Sequence, residues 1–170
     1  MLGKRPYRFA DLSSSPAWIV AALLLAPVAA GRTQTPGPAF INPPGLTRPA
    51  GYTHVVVSAD GRTAYIAGQV AFDSTGRVVG VSDFPAQAEQ VFANLGRALA
   101  SVGASFGDVV KTTTFITDLS NLPALREARA RYLDPTHPPA NSLIPVQTLA
   151  RPELLLEIEA VVDLPKGRPR

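Results

Sequence analysis

The chain has 170 residues, 46% of them hydrophobic and 17% charged, and no cysteine. That is one domain of ordinary size with enough apolar matter for a core. It excludes disulfides, thiolate nucleophiles, Cys-based zinc or iron–sulfur sites and a lipidated cysteine. Seventeen prolines speak against a helical bundle, and the basic pI of about 9.6 raises the question of nucleic acid.

The position of the charges answers it. Lys4, Arg5 and Arg8 precede an apolar run, Ala17–Ala30, broken only by Pro27 and ending in the small residues Val28-Ala29-Ala30. This is the pattern of an export signal cut near Ala30. At 14 residues the run makes roughly 21 Å of helix against a hydrocarbon core of roughly 30 Å, so a stable membrane span is not expected. Without residues 1–30 the chain carries 13 basic and 12 acidic residues, and three of the bases, Lys166, Arg168 and Arg170, lie in a Pro/Gly tail. No basic stripe remains for a phosphate backbone, so nucleic acid is not an expected partner. The reading is a signal peptide over 1–30, a linker over 31–41, a domain over 42–165 and a basic tail over 166–170, in an exported, periplasmic protein.

Within the domain, His54–Ala59 and Thr63–Val70 read as strands joined through Asp60-Gly61, a pair that tolerates the positive φ of a hairpin turn. Ser74-Thr75-Gly76 makes another turn. Phe84, Ala88, Val91, Phe92, Leu95, Leu99 and Val102 recur at helical spacing, with Asp83 as cap, Pro85 in the first turn and Gly103 at the end. Val109–Thr117 alternates, with Val110, Thr112, Thr114 and Ile116 on one face and Lys111, Thr113 and Phe115 on the other. Ser120 or Asn121 opens a second helix, which turns Leu122, Leu125, Ala128 and Tyr132 to the core and Arg126, Arg129 and Arg131 to water, and Asp134-Pro135 stops it. Asn141–Leu149, with Pro145 at an edge or bulge, and Leu154–Asp163 complete an α+β order with both helices on one sheet face.

Three constellations invite chemistry. The two histidines, His54 and His137, lack companions at metal-ligand spacing and read as hydrogen-bonded or surface residues. Gly103-Ala104-Ser105-Phe106-Gly107 matches the nucleophile elbow of serine hydrolases, with Asp118 and His137 following in triad order. An elbow, however, needs a strand before the serine and a helix after it, and here the order is reversed. Glu157 and Glu159 share a strand face roughly 6.5–7 Å apart, close enough to share a proton or position a water. Between apolar flanks, such a strand calls for either solvent or a partner subunit.

Four segments in order, Ile66-Ala67-Gly68-Gln69, Gly107-Asp108-Val109-Val110-Lys111-Thr112-Thr113, Pro139-Ala140-Asn141-Ser142-Leu143 and Leu156-Glu157-Ile158-Glu159-Ala160, resemble the reactive intermediate deaminase (Rid) family over about Asn42–Asp163. The resemblance implies a chorismate-mutase-like (YjgF-like) α+β fold and a homotrimer with a central barrel. Small-molecule clefts lie between its subunits, and no metal or organic cofactor takes part. Deaminases of the family hydrolyse enamines and imines such as 2-aminoacrylate to a keto acid and ammonia. Carried over by motif, Gly68 supplies a substrate-binding N–H, Glu159 the catalytic carboxylate and Tyr52 a cleft wall. Asn141 stands where those members carry the arginine that grips the substrate carboxylate, and Ala67 stands where serine is frequent. Trading a bidentate guanidinium for a neutral amide costs on the order of 1.5–3 kcal/mol, roughly ten- to hundredfold in binding. Reduced or altered activity on 2-imino acids is therefore expected, with Arg151 as a candidate replacement. The alternative is a non-enzymatic ligand-binding or chaperone-like homotrimer.

Overall fold

The computed structural model of the protein describes residues 37–165. The signal-peptide and tail assignments therefore lie outside the described residues, apart from the last few positions of the linker. Among the described residues, no helix is long and apolar enough to cross a membrane.

Among the described residues the strands and α-helices are, in chain order, β1 (Ala39–Ile41), β2 (Val55–Val57), β3 (Thr63–Val70), α1 (Phe84–Ser101), β4 (Val109–Ile116), α2 (Leu122–Ala130), β5 (Ala140–Pro145) and β6 (Leu156–Asp163). They form one six-stranded mixed sheet in the order β1-β2-β3-β6-β4-β5, in which only β4 and β5 run parallel. The last strand of the sequence thus threads between β3 and β4, so that β6 is paired on both edges. Gly61, at φ 71°, turns β2 into β3.

Both helices cover one sheet face. On α1, Phe84, Ala88, Val91, Phe92, Leu95, Ala98 and Leu99 are buried against Ala64 and Ile66 of β3 and Leu156, Ile158, Ala160 and Val162 of β6. Asp83 caps its start by accepting from the Ala86 N–H at 3.1 Å, and Gly103, at φ 53°, ends it. Phe92 stacks on Tyr132 with ring centroids 4.9 Å apart, which docks the segment after α2 onto α1. The opposite sheet face carries Val56, Tyr65, Lys111, Thr113, Phe115, Glu157, Glu159 and Val161. Among the described residues no helix covers it, and Tyr65 there is 54% exposed.

Four expectations are corrected. Residues 39–41 are not linker but edge strand β1, paired with Val55–Val57. A register shift between Val109 and Lys111 on β4 buries Val109 and turns Val110 out, so Val110 does not share the Thr112–Ile116 face. The strand expected over Asn141–Leu149 ends at Pro145, which has no N–H to continue a ladder. Helix α2 ends at Ala130, before Asp134, and Arg129 is half-buried rather than directed to water.

Candidate active site

The site is organised by a β-bulge. Ile66 pairs with Ala160 and Gln69 with Ile158, so Ala67 and Gly68 on β3 face the single residue Glu159 on β6. Side-chain bonds from beneath hold this irregular backbone. His54 is buried, and its Nε2 lies 2.8 Å from the Thr47 carbonyl. With Nε2–H donating there, Nδ1 is free to accept from Gln69 Nε2 at 3.4 Å, and the same Gln69 amide donates to the Ala67 carbonyl at 2.9 Å. The Tyr52 ring stands edge-on to His54, centroids 5.2 Å apart. His54 is thus a buried support for the bulge.

Glu157, opposite Val70 on β3 and Phe115 on β4, folds its carboxylate over Gly68. A Cβ at position 68 would lie 2.6 Å from Glu157 Cδ, so a larger residue there would push this carboxylate aside. Burial, and then the charge of Glu159, raise the Glu157 carboxyl above the ordinary carboxylate range. Burial and the Glu157 charge together raise the Tyr52 phenol, so Tyr52, Gly68 and Glu157 form one electrostatic neighbourhood. Glu159 sits opposite Thr113 and is exposed; it lines an open groove on the same sheet face with Tyr65, Lys111 and Val161. Glu157, rather than Glu159, is the carboxylate at the glycine.

Asn141 lies elsewhere. On β5 it pairs with Thr112, and its Nδ2 donates to Thr112 Oγ1 at 3.1 Å and Thr114 Oγ1 at 3.3 Å. Those threonines share the helix-covered face with Ile158 and Ala160, whereas Glu157 and Glu159 point the other way. Within one chain, Asn141 and the Gly68–Glu157 pair are on opposite sides of the sheet. Asn141 lines a cavity of about 190 Å³ between β4, β5 and α2, together with Arg126 and Arg129. These two arginines were not recognised as site residues in the sequence, because a helical wheel assigns them to water.

Arg151 is held away from both places. Its guanidinium lies over the Phe72 ring at 5.3 Å, donates to the Gly76 carbonyl at 3.2 Å and approaches Glu153 at 3.7 Å. The three members of the hydrolase-like motif serve three separate local structures. Ser105 bonds Asp108 in the turn before β4, Asp118 caps the Ser120 N–H, and His137 pairs with Asp134.

The fold and the glycine–glutamate pair define a two-layer α+β protein with an open sheet face and small-molecule-sized clefts. Comparison with known proteins makes this specific. The family model described as Endoribonuclease L-PSP matches residues 45–164, and the chain belongs to that family, the Rid (YjgF-like) family. A RutC family protein of Synechocystis is 35% identical over 118 residues, covering 69% of this chain and 89% of the relative. The 2-iminobutanoate/2-iminopropanoate deaminase of Mus musculus is 37% identical over 103 residues, covering 59% of this chain and 73% of the relative. Among solved structures, RidA from an Antarctic Psychrobacter superposes with a TM-score of 0.65 at 32% identity over 73% of this chain and 97% of that one.

Proposed function

We propose that this protein is an exported, homotrimeric imine or enamine deaminase of altered specificity, with its cleft between copies. The single observation that carries the reading is the Glu157 carboxylate folded over Gly68 beside Tyr52, with its proton affinity raised by burial. A carboxylate whose proton affinity is raised in a cleft suits general acid–base work. It takes a proton from water as the oxygen attacks the C=N carbon and passes it to nitrogen, giving a carbinolamine, then takes the hydroxyl proton and delivers it to nitrogen as the C–N bond breaks and the carbonyl forms. An imino acid and water thereby become a keto acid and ammonia, with no electron left over. Gly68 offers its N–H to the substrate and Tyr52 walls the cleft. Glu159 acts by raising the proton affinity of Glu157. Asn141, on the far side of its own sheet, reaches this place only from a second copy, which is the functional argument for assembly. The uncovered sheet face with Val56, Tyr65 and Val161 is the surface such a trimer buries. The run Ala17–Ala30 supports export with a cut after Ala30, and the sparse charge of residues 31–165 supports a small-molecule partner over RNA.

Asn141 favours a second reading, a trimer that binds a small ligand without turning it over, because an amide grips a carboxylate weakly. Keto-acid and ammonia release from freshly generated 2-aminoacrylate decides between them. The deaminase reading expects the native protein or its Asn141→Arg variant to exceed the protein-free rate. Release at the protein-free rate from both proteins supports the binding reading. Light scattering at micromolar concentration is expected to give three times the chain mass, and a monomeric mass refutes the shared cleft.

A further inference from the structure

We propose that Arg126 and Arg129 of α2 form a carboxylate-binding pocket with Asn141, so that the cation absent from β5 is supplied by the helix across the cavity. The inference deepens the functional reading above and rests on it for one point, that Asn141 marks the carboxylate end of the ligand. The rest comes from the cavity itself.

Arg126 and Arg129 are three residues apart and therefore share one face of α2, where Leu122 and Leu125, with Leu133 beyond the helix end, join them in lining the cavity. Among the described residues neither guanidinium has a hydrogen bond or an acidic partner, and no aspartate or glutamate lines the cavity. The third arginine of this segment behaves differently: Arg131 is paired with both Glu89 and Glu127. Arg129 is half-buried and has no anionic partner among the described residues. Two neighbouring guanidiniums also repel one another, and a shared anion relieves that repulsion. Opposite them stand neutral donors and acceptors, the Asn141 amide and the Thr112 and Thr114 hydroxyls. The floor is apolar, with Phe92, Leu143 and Ile158.

Two cations, a neutral polar rim and an apolar floor in about 190 Å³ select a small monocarboxylate with a short apolar tail. A 2-oxo or 2-imino acid of a few carbons has this form. A nucleotide is too large, and a bare phosphate leaves the apolar floor unused.

Isothermal titration calorimetry of the full-length chain with 2-oxobutanoate tests the pocket, with 2-butanone as the neutral analogue and inorganic phosphate as the competing anion. Saturable binding of 2-oxobutanoate is expected, with none of 2-butanone. Arg129→Gln should weaken it at least tenfold and Arg126→Gln/Arg129→Gln abolish it, while Arg129→Lys, which keeps charge but loses the bidentate fork, falls between. Because neither side chain makes a bond in the fold, circular dichroism and urea midpoints of the variants should match the native protein. Absence of saturable binding, undiminished binding to the double variant, or tighter binding of phosphate than of 2-oxobutanoate each overturns the proposal. Binding is read without turnover, so a protein that binds 2-oxobutanoate but releases no ammonia from 2-aminoacrylate refutes the deaminase and leaves the pocket standing.

Discussion

Gln87→Leu is expected to lower the free energy of unfolding by about 3–5 kcal/mol, read as a fall in the urea midpoint at unchanged slope. Gln87 lies on the core face of α1 and is completely buried. Its Nε2 donates to the Gly80 carbonyl at 3.1 Å and the Glu153 carbonyl at 2.7 Å, and its Oε1 accepts from the Leu155 N–H at 2.9 Å. One side chain thus ties α1 to the turn before it and to the segment that leads into β6. Leucine has nearly the same volume, so the substitution leaves no large cavity. It strands two carbonyls and one N–H away from water, each costing about 1–3 kcal/mol, partly recovered where water enters. A domain stable by about 5–15 kcal/mol would lose a large share of that margin. A loss below about 1 kcal/mol would mean that water substitutes freely at this junction, and that the docking of α1 rests on its apolar face alone.

Gln87 also shows where the sequence was silent. The 3.6-residue period of Phe84, Ala88, Val91, Phe92, Leu95 and Leu99 makes α1 legible, because apolar burial sets that period. Gln87 and Asn94 lie inside the same stripe as hydrogen-bonding anchors. Asn94 Nδ2 donates to the Val70 carbonyl at 2.9 Å and the Phe72 carbonyl at 2.8 Å, partners remote in sequence that no local pattern announces. Strands β4 and β6 were legible from alternation, and β3, returning from the Asp60-Gly61 turn, was read to the residue. Strand β1 was not, since Ala39–Ile41 is extended only by pairing with Val55–Val57. The bulges follow the same logic: Val110 turned outward, and two residues set against one at Ala67-Gly68, are products of register between strands. Alternation put Glu157 and Glu159 on one face correctly, but which carboxylate meets the glycine depends on that register. Arg126 is exposed as read, but its place and that of half-buried Arg129 beside a cavity escape a wheel of α2 alone, which lacks β5, the parallel neighbour of β4 on the cavity's other side.

Glu157→Gln and Glu159→Gln are expected to separate by orders of magnitude in catalysis. If Glu157 moves the proton in imine hydrolysis, glutamine at 157 removes the titrating carboxylate over Gly68, and kcat should fall by about 10²–10⁴. Glu159 touches that chemistry only through its charge. Glutamine at 159 removes a like charge that raises the Glu157 carboxyl, so the acid limb of the pH–rate profile should move to lower pH while kcat changes by only a few-fold. Stability gives an independent readout with a definite sign. The folded Glu157 holds its proton more tightly than the unfolded chain does. The stability linked to this group is therefore fully present below the unfolded value and is lost as pH rises through the folded one. Glutamine removes the ionisation, so above that window Glu157→Gln should be at least as stable as the native protein, and its pH–stability curve should be flatter. A residue that is costly to the fold and needed for turnover is what a poised catalytic carboxylate should be. A Glu159→Gln variant that loses turnover while Glu157→Gln keeps it would reverse the two roles and detach the chemistry from Gly68.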